Sequence, residues 1–335
     1  MSYDLYVDKP VGDVVTQLRL LAGGEDSGNA AKKFVKLVHG RASQYDQFIE
    51  REMKTIESLG LLSSQPDLST LPPGSWFLQF TLTLATPWIS KDDDPFYVAE
   101  SVNPVRKDKV FKVPLMSAAS WKGLLRWTLM HIRLALQKDS LTPEQFAQER
   151  FVQTLLFGDE KGEESGGTKD FAAYLDALKP QARPEYERLL RAYYGLEPED
   201  PLPHHSGRLI FYPTFFNGID VEVINPHSRR TKAGTHPIYL ECVPAGAKGA
   251  FTLLYVPFDL IGRPEAEVKK QAAEDLQRVA EGLQAMFLTY GFSAKRTSGY
   301  GTAKDEITGE VWTRSVEKGV RSLRSLVQEV EDVSL

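Results

Sequence analysis

The sequence predicts an α+β fold: one core of strands and helices, a helical extension before it and a helical insertion within it. Three observations predict this. Two runs alternate as half-buried strands do: Trp76, Leu78, Phe80, Leu82 and Leu84 against Gln79, Thr81 and Thr83, and later Phe251, Leu253 and Tyr255. Two longer runs, at 118–138 and from Pro264 onward, repeat apolar residues every three or four positions. The runs also follow one another as strand, helix, strand, strand, helix, strand.

Taken in chain order, residues 10–60 read as helical. Val14, Leu18 and Leu21, then Ala31, Phe34, Val35 and Val38, then Phe48, Met53 and Ile56 recur at helical spacing. Gly23-Gly24 and Gly28 interrupt this region, and Pro66 and Pro72-Pro73-Gly74 mark a linker or sharp turn. The strand from Trp76 is ended by Pro87, and the polar loop Lys91-Asp92-Asp93-Asp94-Pro95 follows. Ser117 is the expected cap of the helix over 118–138, whose stripe is Trp121, Leu125, Leu129, Ile132 and Leu136. Pro143 and Glu144 open a helix to about Leu156, residues 158–168 read as a loop, and shorter helices follow near 169–178 and 184–194. Prolines 198, 201 and 203 form a second linker. Strands are expected at Arg208–Phe215, Pro237–Val243 and Ala250–Phe258. Pro264 then starts a helix with Val268, Ala272, Leu276, Val279, Leu283 and Phe287 on one face. A glycine-bracketed loop, Gly291 to Gly301, and an amphipathic basic stretch, Val311 to Leu326, complete the chain. The order is that of a ferredoxin-like or RRM-like βαββαβ core. The expected organisation is a helical region at 1–62 and a core domain at 63–335, with a helical insertion at about 141–205.

Composition bounds the function. The 335 residues are 42% hydrophobic, carry a net charge of −5 and contain one cysteine, Cys242. No apolar run is long enough to span a bilayer, no intrachain disulfide can form, and a reducing cytoplasm is the expected setting with no membrane partner. A negative total charge excludes a uniformly basic nucleic-acid glove, so polyanion binding has to come from local clusters.

Three clusters qualify. The first runs from Asn103-Pro104-Val105-Arg106-Lys107-Asp108 to Ser120-Trp121-Lys122-Gly123-Leu124-Leu125-Arg126. A basic extended segment feeds a helix start, whose free N–H groups favour phosphate, and Lys122 and Arg126 share a face. The second is the Gly291–Gly301 loop, with Lys295, Arg296, Ser298 and Tyr300, where glycines permit close backbone approach and a tyrosine can stack on a base. The third is Asn225-Pro226-His227-Ser228-Arg229-Arg230-Thr231-Lys232. Each also reads as a capped helix, a turn or a solvated loop. Asp92, Asp93 and Asp94 can bind magnesium or serve as a hydrated loop, and Glu100 lies close by. His204, His205, His227 and His236 lack zinc spacing, so neither a metal nor a cofactor is expected.

These segments resemble the RAMP superfamily of CRISPR-associated proteins over about residues 75–305. Asn103 through Arg126 is similar to the family's Asp-x-Pro-Val-x-Arg-Asp segment and its Gly-Ser-Ser-Leu-Lys-Gly helix start. Gly207-Arg208-Leu209-Ile210-Phe211 resembles its second core strand. Glu241 to Phe251, with Pro244 and Gly246, and the Lys295–Gly301 loop resemble its C-terminal half. The resemblance implies an RNA-binding subunit of a type III effector complex, with guide RNA (crRNA), target RNA and other effector subunits as partners. Residues 225–227 and 298–301 are similar to the subunit at the head of a Cmr-type complex, and the Asn103 motif to the repeating backbone subunits. It further implies RNA contact at Arg106, Lys107, Ser120, Lys122, Arg126, His227, Arg229, Arg230, Lys295, Arg296, Ser298 and Tyr300. Two positions depart from the pattern. Val102 stands where RNA-cutting relatives carry an aspartate, so no catalytic residue is carried over; Asp92, Asp93, Asp94 and Glu100 are the only candidates. Ala118-Ala119-Ser120 stands for Gly-Ser-Ser, which keeps the backbone farther from a ligand. The alternative implied activity is that of an endonuclease acting on CRISPR precursor RNA or target RNA.

Overall fold

The computed structural model describes residues 13–18, 27–40, 43–62, 64–91, 102–160, 171–225, 237–333 and 335. In chain order, three helices come first: α1 (14–18), α2 (Ser27–Val38) and α3 (Gln44–Ser58). Then follow β1 (Trp76–Thr83), β2 (Val102–Asn103), β3 (Leu115–Met116) and α4 (Ala118–Met130). Helices α5 (Pro143–Phe157), α6 (Phe171–Leu178) and α7 (Arg183–Tyr194) come next. Strands β4 (Leu209–Phe211), β5 (Thr214–Phe215), β6 (Asp220–Ile224), β7 (Ile238–Cys242) and β8 (Lys248–Tyr255) precede α8 (Glu265–Ala285). Strands β9 (Glu306–Trp312) and β10 (Glu317–Ser322) and helix α9 (Leu326–Glu331) follow.

The main sheet has five strands in the order β10-β9-β1-β8-β4, every neighbouring pair antiparallel. Strand β1 lies at its centre, with Trp76 opposite Tyr255 and Phe80 opposite both Phe251 and Gly309. The alternation read from the sequence is realised here: Trp76, Leu78, Phe80 and Leu82 are buried, while Thr81 is exposed. Helices α4 and α8 cover the buried face, where Trp121 of α4 meets Phe251 edge-on at 5.1 Å and Phe287 meets Phe80 at 5.7 Å. The two helices approach closely because residue 282 is glycine: a Cβ there would lie 2.8 Å from Leu125 Cδ1 and from Leu129 Cγ.

Both helices end in a wide turn. Leu136 N–H donates to the His131 carbonyl and Gly291 N–H to that of Met286, each five residues back. The expected helix over 118–138 is therefore regular only to Met130. The added residue per turn rotates the stripe, and Leu136, read as a core position, is 60% exposed.

Three further expectations change. Arg208–Phe215 is not one strand: β4 pairs with β8, whereas β5 pairs with β3 beyond Pro213, which has no N–H for a ladder. Strands β2, β7 and β6 form a second sheet in which β2 runs parallel to β7. The stretch from Val311 to Leu326 is largely the end of β9 and strand β10, with α9 opening only at Leu326.

The extension and the insertion are packed differently. Val14, Leu18, Phe34, Val38, Tyr45, Ile49 and Ile56 of the N-terminal helices belong to the same apolar cluster as the main sheet. Helices α5 to α7 build their own cluster around Phe146, Leu175 and Tyr186, joined by Met130 and Leu134 from the end of α4. Within it the buried Arg150 meets Glu160 in a two-pronged pair at 2.8 and 2.6 Å, reaches Asp176 at 2.6 Å and lies over the Tyr186 ring. No helix among the described residues is long and apolar enough to cross a membrane.

Candidate nucleic-acid interface

The start of α4 is closed by a pair of serine hydroxyls. Ser117 is its cap, accepting the Ser120 N–H at 3.2 Å, and the two hydroxyls lie 2.9 Å apart. Ser120 N–H also meets the Ser117 carbonyl at 3.0 Å, which leaves Ala118 and Ala119 as the first-turn residues whose N–H groups a helix does not itself satisfy. Against this turn lies a cleft of about 310 Å³ lined by Ser90, Arg106, Ser117, Ser120, Gly123 and Ala294, with Trp88 and Phe292 among its apolar lining residues. Two clusters far apart in sequence, the Asn103–Arg126 segment and the glycine-bracketed loop, thus meet at one opening.

The loop is pinned there by backbone pairing. Ala294 N–H donates to Ile89 O and Gly301 N–H to Pro87 O, each at 2.8 Å. Ser293 stands in for a strand partner, accepting the Ile89 N–H at 2.7 Å and donating to Ile89 O at 2.9 Å. Gly301 has φ of 71°, and a Cβ there would fall 2.2 Å from Ser293 Cβ, so this approach is open only to glycine. The loop then turns through Lys295, itself left-handed at φ 59°, into a tight turn over Arg296–Ser298. Lys295 and Ser298 are exposed and Arg296 is half-buried.

The predicted contact residues separate in this setting. Arg106 and Ser120 line the cleft, and Lys295 and Arg296 follow directly on Ala294. Lys122 lies half-buried on the first turns of α4; burial, then the neighbouring Arg126, holds its ammonium below the usual lysine range. Arg126 turns toward the insertion, donating to the carbonyls of Asp159 at 3.0 Å and Gly158 at 3.2 Å, with its guanidinium over Phe171. Lys107 points inward: its side chain is 4% exposed and paired with Glu241. Its ammonium is therefore a structural charge in this fold, not a surface one. Tyr300 donates its hydroxyl to Glu222 at 3.3 Å and packs beside Ile89, so its ring is partly engaged. Asp92, Asp93, Asp94, Glu100, His227, Arg229 and Arg230 lie outside the described residues.

Three side chains to which the sequence reading gave no RNA-binding role gather at Arg296. Trp127 of α4 stacks on His131 at 5.1 Å with the rings 6° from parallel, Tyr290 meets both edge-on, and Arg296 lies over the indole at 4.3 Å. Trp127 is one residue beyond Arg126 and off the buried stripe, a signal that an isolated helix pattern does not separate from a surface aromatic. Among the described residues no three His, Cys, Asp or Glu side chains are grouped to hold a metal. Cys242 is buried and its thiol pKa is driven up by that burial, which disfavours thiolate chemistry.

No curated protein matches the chain. Solved structures that resemble it distantly include the following two. A chain of the Type III-B Cmr-beta complex bound to cognate target RNA, determined by cryo-electron microscopy, aligns over 86% of this chain and 73% of that one, at 11% identity and a TM-score of 0.38. A chain of a CRISPR RNA-guided surveillance complex, pre-nicking, aligns over 70% of this chain and 78% of that one, at 13% identity and a TM-score of 0.34. The family model described as the RAMP superfamily matches residues 81–304, which takes in the end of β1, the cleft, both covering helices and the glycine-bracketed loop. By that match, over more than half of its length, the chain belongs to the RAMP superfamily.

Proposed function

We propose that this chain is an RNA-binding subunit of a type III CRISPR effector ribonucleoprotein, acting in the cytoplasm in antiviral defence and holding guide RNA by its phosphate backbone. The observation that carries this reading is the convergence on one cleft of Arg106, the Ser117–Ser120 helix start and Phe292–Ala294, the loop residues that lead directly into Lys295 and Arg296. Hydroxyls, helix N–H groups and cations together suit a phosphodiester chain. Membership of the RAMP superfamily supplies the setting. Lys122, Lys295 and Arg106 carry the phosphate electrostatics; Arg126 serves them indirectly, by fixing the insertion to α4.

We also read the core as ferredoxin-like. In support, the four strands that flank α4 and α8 in sequence stand in the order β9-β1-β8-β4, with both helices on one face. Residues 1–62 and the 141–205 insertion are proposed as surfaces for neighbouring effector subunits, and the segment around residues 92–112 as the element that reaches the guide–target duplex.

The test is RNA affinity as a function of salt. A phosphate-binding cleft gives a steep loss of affinity with rising salt, and Arg106→Ala/Lys122→Ala flattens that slope. An affinity that ignores salt, or a double variant with the wild-type slope, overturns the assignment.

One observation favours the endonuclease alternative. His39 Nδ1 lies 2.7 Å from Asp220 Oδ1 and its side chain is 60% exposed, the arrangement of an oriented general base. Metal-independent cutting of a repeat hairpin that His39→Ala abolishes would establish this alternative; cutting by neither protein would remove it.

A further inference from the structure

We propose that Arg296 is a stacking seat for an unpaired nucleobase, its guanidinium plane held ready by the Trp127 indole, next to the cleft that takes the phosphates. The inference rests on the RNA-binding reading above and adds which part of the nucleotide this residue meets.

A phosphate clamp has to swing its N–H groups toward the anion. Arg296 is instead laid on an aromatic face: its Cζ is 4.3 Å from the Trp127 ring centroid. The indole is itself backed by His131, nearly parallel at 5.1 Å, and both rings are braced edge-on by Tyr290 at 5.5 and 5.1 Å. Arg296, Trp127 and His131 thus form one stack. Trp127 is already engaged, so the planar surface left for a ligand is the guanidinium. No ion pair ties Arg296 to a carboxylate among the described residues, and burial on the stack lowers its pKa from the usual arginine value, with no other cause. A cation with part of its water already removed loses less on meeting an apolar base.

The loop fixes the plane in place. Lys295 holds a left-handed conformation, Ser298 N–H closes on Lys295 O at 2.8 Å and Gly299 N–H on Arg296 O at 2.9 Å. Ala294, two residues before Arg296, lines the cleft. Arg296 is thus two residues along the chain from the cleft that would seat a backbone phosphate against Ser120 and Arg106. Guanidinium planes and aromatic rings are the common partners of unstacked RNA bases.

The experiment compares two single-stranded probes of equal length, a uridine oligomer and the same ribose-phosphate backbone without bases, across a salt series with the full chain. Arg296→Lys keeps the charge and loses the plane. It is expected to bind the uridine oligomer roughly ten-fold more weakly, the scale of one lost base stack, to bind the abasic oligomer as the wild type does, and to keep the wild-type salt slope. Trp127→Leu, checked for an unchanged melting midpoint, is expected to match Arg296→Lys, with Trp127→Phe restoring most of the affinity; Trp127 is thereby a positioning residue. Arg296→Lys binding uridine like the wild type overturns the proposal, as does an equal loss on both probes with a shallower slope, which would make Arg296 a phosphate contact. A wild-type chain with no salt-dependent affinity for either probe overturns the RNA-binding reading and this inference with it.

Discussion

Lys107 and Glu241 form an ion pair inside the protein, with 4% and 0% of their side chains exposed. The Glu241 oxygen that meets the ammonium also accepts the Val105 N–H at 3.0 Å, and the Lys107 ammonium lies 5.5 Å from the Tyr45 ring. The pair therefore fastens the segment leaving β2 to strand β7 and to the N-terminal helices. Between Val105 and Lys107, both facing inward, Arg106 is left to face the cleft.

Removing one partner strands a buried charge. Lys107→Met and Glu241→Leu are each expected to cost about 3–5 kcal/mol, while the double variant is expected to cost clearly less than the sum, in urea unfolding followed by circular dichroism. Lys122→Ala, a half-exposed cation, is expected to stay within about 0.5 kcal/mol of the wild type. Equal costs for Lys107 and Lys122 would contradict this division between a structural and a surface lysine.

Arg106 and Lys122 are expected to act on RNA in the opposite way, with little effect on stability. If each meets one phosphate, each alanine substitution lowers the slope of log affinity against log salt by about 1, and the double variant by about 2, for any RNA sequence. Fluorescence anisotropy with an end-labelled oligomer over a salt series reads this directly. A sequence-dependent change would mean that these side chains read bases.

What was legible in the sequence followed from periodicity. The alternation at Trp76–Leu82 and the stripe Val268–Leu283 describe the sheet centre and its cover because the pattern of a buried face is local. The cleft was legible only as two separate segments; that Arg106 and Ala294 share it depends on Ile89 pairing with Ser293 across 204 residues. Lys107 looked like Lys122 in sequence, since no local feature tells a lysine that its partner, Glu241, is buried 134 residues away. The wide turn after Met130 was hidden for a different reason: the stripe continues through it in sequence, and only the bond from Leu136 to His131 reveals the added residue.

Arg208, directly before β4, is a second buried hub. It bonds Asp259 at 2.6 Å and Asp275 at 2.8 Å, while Tyr255 and Gln271 also donate to Asp275. Burial pushes the Asp275 carboxyl up, against the pull of Arg208 and Tyr255. At Asp259 burial acts in the same direction, but the Arg208 hydrogen bonds and charge outweigh it and hold the carboxyl below its usual 3.8. A folded pKa below the unfolded one stabilises above the unfolded value, and that stability is lost as pH falls through the folded value. The stability gap between the wild type and Asp259→Asn is thus expected to be widest near neutral pH and to shrink below about pH 4. Urea midpoints taken from pH 7 to pH 2 measure the gap; a constant gap would show that the Asp259 charge contributes nothing.

Gly299 and Gly301 bracket Tyr300 and offer a test of how the loop is docked. Both are left-handed, at φ 82° and 71°. A Cβ at 299 would meet nothing within 4 Å, whereas at 301 it would lie 2.2 Å from Ser293 Cβ and 2.8 Å from Ser293 N. Gly299→Ala then costs only the backbone strain of a left-handed alanine, about 1–2 kcal/mol. Gly301→Ala carries the same strain and also pushes Ser293 off the Ile89 backbone, adding an overpacking cost of about 1–3 kcal/mol. The distinction is visible in amide hydrogen exchange. The Ile89 N–H, held by Ser293 Oγ at 2.7 Å, is expected to exchange faster in Gly301→Ala and to stay protected in Gly299→Ala once global stability is matched. Equal exchange at Ile89 in the two variants would mean that the loop does not depend on this contact, and the cleft would have to be held open by α4 alone.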